Sequence, residues 1–194
     1  MIKKQNYLKH AIVLFLLLLL MQPERAWAAY ENVEFSSLTN HDGLTNSQVG
    51  AILKDTRGYI WFGTQSGLCR FDGFRMKTFY YINTDDKSLP NNSVDELQQD
   101  YGGNIWVHTS VGYCIYKYDE EQFERKPEEW LKNIHVQGPP YKLLIDKDKN
   151  MWIAVYGQGL YYHNAKTKNT YLFKFTKKAQ PGCLKEGNIS KIAE

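Results

Sequence analysis

Asp55-Thr-Arg-Gly58-Tyr-Ile60-Trp61 returns as Asp100-Tyr-Gly-Gly103-Asn-Ile105-Trp106 and again as Asp146-Lys-Asp-Lys149-Asn-Met151-Trp152. Asp precedes Trp by six positions each time, and the tryptophans stand 45 and then 46 residues apart. A fixed period of this size marks stacked supersecondary units. The register extends outward from the motif. Leu44, Asn46 and Val49 recur as Leu89, Asn91 and Val94. An apolar residue precedes each Asp (Ile52, Leu97, Leu143), and a glycine follows each Trp (Gly67, Gly112, Gly159). Each unit divides into four short apolar runs separated by turn residues, in the first unit roughly 49–54, 59–64, 68–71 and 75–80. Four antiparallel strands per period of about 45 residues is the β-propeller blade. Helical spacing and caps are not found, so the fold class expected is all-β, a partial propeller of about three four-stranded blades.

The expected organisation is a signal peptide over 1–28, an N-terminal strand segment over 29–43, and blades over 44–81, 82–126 and 127–176. A linker and the start of a fourth, truncated blade follow over 177–194. The leader reading rests on Lys3, Lys4 and Lys9, an apolar run of eleven from Ala11 to Met21, and the small residues Ala26 and Ala28. Cleavage is expected between Ala28 and Ala29. Eleven apolar residues are fewer than the roughly 20 that a membrane-spanning helix needs, so no span is expected apart from the signal peptide, and the product is expected to be periplasmic. Val33–Leu38 looks suited to closing the propeller ring with a strand. Three blades do not complete a ring, so the remaining blades are expected partners, along with a second sensor chain.

Composition narrows the function. Aromatic residues make up 14% and the net charge is only +3, with both signs scattered, so no basic face for nucleic acid is expected. Cys69, Cys114 and Cys183 are an odd number; the first two share a repeat position and read as small apolar fillers. No Cys or His pair has ligand spacing, so no metal or cofactor is expected. Asp55, Asp100 and Asp146 recur once per unit at a turn, which favours bonding to local backbone N–H groups over paired-carboxylate catalysis. Trp61, Trp106 and Trp152 offer sugar-stacking surfaces, but their repetition favours packing between blades. Trp106, in the middle blade, is expected to be the most buried. The structural repeat set is therefore Asp55, Gly58, Trp61, Gly67, Asp100, Gly103, Trp106, Gly112, Asp146, Trp152 and Gly159. Candidate ligand-binding residues are the departures from the repeat: His108, Tyr113, Tyr156 and Gln158.

The run Phe35-x-x-Leu38-Thr39-x-x-Asp42-Gly43-Leu44, followed by Asp55-x-x-Gly58-x-Ile60-Trp61-Phe62-Gly63-Thr64-x-x-Gly67-Leu68-x-Arg70-Phe71-Asp72-Gly73, is similar to the two-component regulator propeller repeat. Later units depart from it at His108, Lys149 and Ala154-Val155. The resemblance implies the N-terminal part of the periplasmic sensor of a hybrid two-component histidine kinase. An oligosaccharide would be the ligand of the full-length sensor. This chain carries no kinase region, so it is not expected to be an enzyme. The alternatives are a stand-alone exported interaction module, a non-functional truncated fragment and, least favoured, a propeller glycosidase or lyase.

Overall fold

The computed structural model describes residues 35–176, 181, 183–185 and 189–192. The leader and its Ala28/Ala29 junction lie outside that set, as does much of 177–194. Two units are distinguished, 1–37 and 38–194, and every strand described belongs to the second.

These strands form three sheets. β1 (Val49–Lys54), β2 (Ile60–Thr64), β3 (Gly67–Phe71) and β4 (Met76–Phe79) make the first, in the order 1-2-3-4. β5 (Val94–Gln99), β6 (Ile105–Thr109), β7 (Gly112–Lys117) and β8 (Gln122–Glu124) make the second. β9 (Pro140–Ile145), β10 (Met151–Val155), β11 (Gly159–His163) and β12 (Thr170–Thr176) make the third, with β13 (Leu184–Lys185) added parallel to β12. Within each four-stranded meander, consecutive strands pair antiparallel. The expected all-β class in four-stranded blades is borne out.

The Asp-to-Trp spacing has a physical cause. In the first blade, Asp55 Oδ1 accepts from the backbone N–H of Arg57 (2.9 Å) and Tyr59 (3.0 Å), closing the β1–β2 turn. Its Oδ2 accepts from the Trp61 indole Nε1 at 2.6 Å. Asp100 repeats this on Gly102, Asn104 and Trp106, the indole bond being 3.0 Å. Asp146 holds Asn150 and, at 3.4 Å, Trp152. One carboxylate thus fixes a hairpin and satisfies the indole N–H that burial would otherwise leave unpaired. Gly58 (φ 91°) and Gly103 (φ 84°) occupy the left-handed turn position, while Lys149 adopts it in the third blade at φ 66°.

Two of the three indoles fill the spaces between blades. Trp61 is wholly buried against Phe79 of its own sheet and Tyr116 of the next, with centroids 5.8 and 5.0 Å away. Trp106 is 1% exposed and meets Trp130 edge-on at 5.3 Å. The expectation that Trp106 would be the most buried is therefore corrected: Trp61 and Trp106 are equally enclosed. Trp152 is only partly buried, and packs on Tyr162 and Phe173 of its own sheet. Cys69 and Cys114 are buried free thiols, as filler residues would be.

Two elements differ from expectation. The described part of the expected closing strand, Phe35–Leu38, is not a strand, because it has no ladder partner among the described residues. The chain passes instead into a single 3-10 turn, Asn40–Asp42, with a capping box. Thr39 N–H donates to Asp42 Oδ2 (2.8 Å), and Gly43 ends the turn at φ 93°. The second difference is a helix, α1 (Pro127–Lys132), at the start of the third unit. Its start signals are in the sequence: Pro127 in the first turn, Glu128 and Glu129 beside it, and Lys132 in the last turn. Leu131, Ile134 and Val136 are buried in one cluster with Trp106, partly covering that indole.

His163, 1% exposed, stacks on Tyr101 with centroids 5.7 Å apart. Thr170 Oγ1 donates to the Ile134 carbonyl (2.6 Å), so at 2.9 Å it accepts from His163 Nδ1–H, leaving Nε2 buried and bare. Burial, with help from the Lys168 charge, holds the His163 pKa below its usual value.

Trp106→Ala should destabilise the chain by about 3–5 kcal/mol in urea unfolding, the cost of a cavity where an indole was packed. The unfolded chain binds a proton at His163 more readily than the folded one. Its contribution is therefore fully present above the unfolded pKa of about 6.5 and is lost as pH falls through the depressed folded value. His163→Leu should flatten the fall in stability as pH drops below about 6.5. Equal slopes in urea titrations of the two proteins would contradict this assignment.

Candidate functional site

The first strand of each meander begins with the same irregularity. The register skips one residue at Gly50 in β1, Asp95 in β5 and Tyr141 in β9. Such bulges bend a strand and re-aim the side chain at the bulge. All three lie at the end of the blades that carries the β2–β3, β6–β7 and β10–β11 turns.

At this end the first and second blades pack tightly. A Cβ on Gly63 would lie 2.6 Å from Val94 Cγ1, and one on Gly50 would lie 3.2 Å from the Val94 carbonyl. Glycine at both positions lets β5 press against β1. One period later, those positions are Asp95 and His108, and Leu68 has become Tyr113. His108 Nδ1 lies 2.6 Å from Asp95 Oδ1, and its ring packs on Tyr113 at 4.4 Å. These side chains occupy the space that glycine leaves to Val94 one blade earlier, and β9 touches β5 far less than β5 touches β1. The result is a cleft of about 490 Å³ between the second and third blades. It is lined by His108, Val111, Tyr113, Arg125, Glu128, Pro139–Tyr141 and Tyr156.

Three of the four residues marked by departure from the repeat thus meet in one cleft. Tyr156 is 63% exposed, with one ring face stacked on Tyr141 at 4.0 Å and 22°. Tyr113 is 6% exposed, and its hydroxyl is already used. It donates to Glu96 Oε2 (2.8 Å) and accepts from Leu143 N–H (3.1 Å), while Glu96 also pairs with Lys142 at 2.6 Å. Burial, reinforced by the Glu96 charge, raises the Tyr113 pKa, so the phenol stays protonated. Tyr113 therefore ties the blades together and offers the cleft only its ring. Gln158 lies elsewhere. It donates to the Gln137 carbonyl (2.8 Å), accepts from the Tyr161 hydroxyl, and lines a separate depression with Tyr171 and Lys174.

Asp95, Arg125 and Tyr141 were not singled out from sequence. The signal was present for two of them: Asp95 sits one period after Gly50, and Tyr141 one bulge later. The recurrent Asn46 and Asn91 serve turns, their Oδ1 atoms accepting from the N–H of Gln48 and Ser93.

Three antiparallel meanders repeated at this period and fastened by the same carboxylate–indole bond are blades of a β-propeller. Residues 43–66 match the family described as Two component regulator propeller. A stretch of 61 residues is 41% identical to Histidine kinase P4 of Formosa agariphila. It covers 31% of this chain and 4% of that protein. The structure also resembles an extracellular domain from B. thetaiotaomicron described as that of a putative hybrid two component system, with a TM-score of 0.51 and 24% identity. That likeness covers 72% of this chain and 20% of the other, and it speaks to the fold. The chain thus spans a small fraction of each relative. Among the described residues, no helix is long and apolar enough to cross a membrane.

If His108 holds the cleft open, Gly63→Ala should destabilise the protein by about 1–3 kcal/mol through overpacking on Val94. His108→Ala should cost less, since its bond to Asp95 is partly exposed. Urea midpoints in the opposite order would refute this account of the cleft.

Proposed function

We propose that this chain is part of the extracytoplasmic sensor of a two-component system. In this reading it recognises an oligosaccharide in the cleft between the second and third blades. The supporting observation is the Tyr141–Tyr156 pair, whose outer ring is 63% exposed at the mouth of the cleft. A large aromatic face held rigid from behind presents an apolar, low-entropy platform to the C–H face of a pyranose or furanose ring. His108, Asp95 and Glu128 stand nearby to exchange hydrogen bonds with sugar hydroxyls. The match to the two-component regulator propeller repeat and the likeness to a histidine kinase favour sensing over catalysis. Phosphoryl transfer would belong to other parts of a longer sensor. Export ahead of this segment, through the basic and apolar leader with cleavage after Ala28, puts the propeller in the periplasm in this reading.

Tyr156→Ala should lower oligosaccharide affinity about tenfold or more, as measured by calorimetric titration. The melting temperature should change little, because the side chain is exposed. Unchanged affinity in the variant would rule out Tyr156 as the platform.

A further inference from the structure

The depression that holds Gln158 is a hollow of about 570 Å³, and it borders the cleft. Pro139, Pro140, Tyr141 and Tyr156 face the cleft, while their chain neighbours Gln137, Gly157 and Gln158 face the depression. Gln158 Nε2 donates to the Gln137 carbonyl at 2.8 Å and ties the dividing ridge together. The ridge is bare at Gly157, where a Cβ would meet nothing within 4 Å.

No carboxylate lines the depression. Its charged lining residues are Lys174 and, once protonated, His135. Both are exposed, and neither side chain has a hydrogen bond or ion pair among the described residues. His135 also stands where the backbone favours another residue. Helix α1 runs into a Schellman motif: Val136 N–H donates to the Leu131 carbonyl at 3.1 Å, and His135 N–H to the Lys132 carbonyl at 3.0 Å. His135 is left-handed there, at φ 61°, a conformation that glycine adopts without steric cost. Glycine would serve the turn better. An imidazole kept at that cost, exposed and unbonded, is a donor supplied to the hollow.

We infer that the depression is a second subsite, which takes the carboxylate or sulfate of an acidic glycan whose neighbouring sugar lies in the cleft; this rests on the sensing function proposed above. Lys174 supplies a point charge and His135 a ring N–H, both suited to an anionic oxygen. The Tyr161 hydroxyl donates to Gln158 Oε1, so its oxygen is left to accept from a sugar hydroxyl. The cleft lining sets Arg125 against Glu128, so selection for acidic charge falls to the depression.

The test follows backbone amide shifts of the isotopically labelled full chain at fixed ionic strength. The probes are sodium sulfate, hexagalacturonate, a heparin-derived hexasaccharide and cellohexaose. At least one acidic hexasaccharide should move the amides of Gly157 and Gln158 together with those of Tyr141 and Tyr156. It should bind about tenfold or more tightly than free sulfate. Lys174→Gln should weaken it about threefold or more. His135→Gly should weaken it without lowering the melting temperature, whereas a purely structural His135 would leave binding unchanged. If cellohexaose moves the cleft amides and neither acidic hexasaccharide moves Gly157 or Gln158, the sensing function stands and the acidic subsite falls. If free sulfate binds as tightly as the hexasaccharides, the hollow is a site for a free anion and the glycan subsite falls. If acidic binding is unchanged in Tyr156→Ala and confined to the depression, the anion site stands and the cleft platform falls. Silence from all four probes would sink both.

Discussion

The structure depends on one bond made three times: a turn carboxylate that accepts from the indole N–H of the strand it precedes. The bond solves two problems at once. A hairpin turn leaves backbone N–H groups without ladder partners, and a tryptophan wedged between sheets carries one N–H into an apolar space. Asp55 and Asp100, themselves 5% and 2% exposed, answer both with their two oxygens. The Asp55 carboxylate does more, since the Tyr118 hydroxyl of the second blade donates to the same Oδ2. That hydroxyl crosses the blade boundary, so the first hairpin, its indole and the neighbouring sheet are fixed by a single group. Around it, Arg70 reaches Tyr116 and Glu121 of the second blade, adding polar ties at the periphery. The third bond is the longest of the set, and it belongs to the indole that is least enclosed.

What distinguishes the second blade boundary from the first is a change of volume at two equivalent positions. Glycines at 50 and 63 allow main chain to press against main chain, whereas Asp95 and His108 fill that space with side chains. The polar struts through Glu96, Lys142 and Tyr113, and the paired bonds of Gln98 to the backbone of Leu143 and Ile145, then hold the third blade at the wider setting. An opening in a stack of repeated units does not require a new element. It requires larger residues where the repeat is smallest, together with ties that keep the gap from collapsing.

The fold was legible because periodicity exposes it. Apolar residues, turn glycines and the Asp–Trp interval each recur, and the strand limits follow from them closely. Part of the site was legible for the opposite reason: His108, Tyr113 and Tyr156 interrupt the pattern and meet in space. Gln158 interrupts it too, yet ties the Gln137 carbonyl to Tyr161 away from the cleft, since a departure from a repeat reports changed surroundings without saying which. Asp95 and Tyr141 escaped notice because a bulge changes where a side chain points while leaving the apolar pattern intact. The helix at Pro127–Lys132 escaped because it is only about one and a half turns long. Its signals, Pro127 and the flanking charges, are weak in a segment this short. The Asp-to-indole bond itself was not anticipated either; spacing shows that two residues belong together but not which atoms meet.

The bulges at Gly50, Asp95 and Tyr141 also have an evolutionary side. Each blade places one residue in its first strand that joins no ladder pair with the second. At Gly50 the neighbouring blade limits exchange, since a Cβ there would lie 3.2 Å from the Val94 carbonyl, whereas Asp95 and Tyr141 stand at the wider second boundary. A gene that duplicates such a unit therefore copies the scaffold faithfully while leaving the bulge position open to mutation wherever the neighbouring blade does not press on it. Recognition can then diversify one blade at a time, with selection acting on the rim and the architecture inherited unchanged.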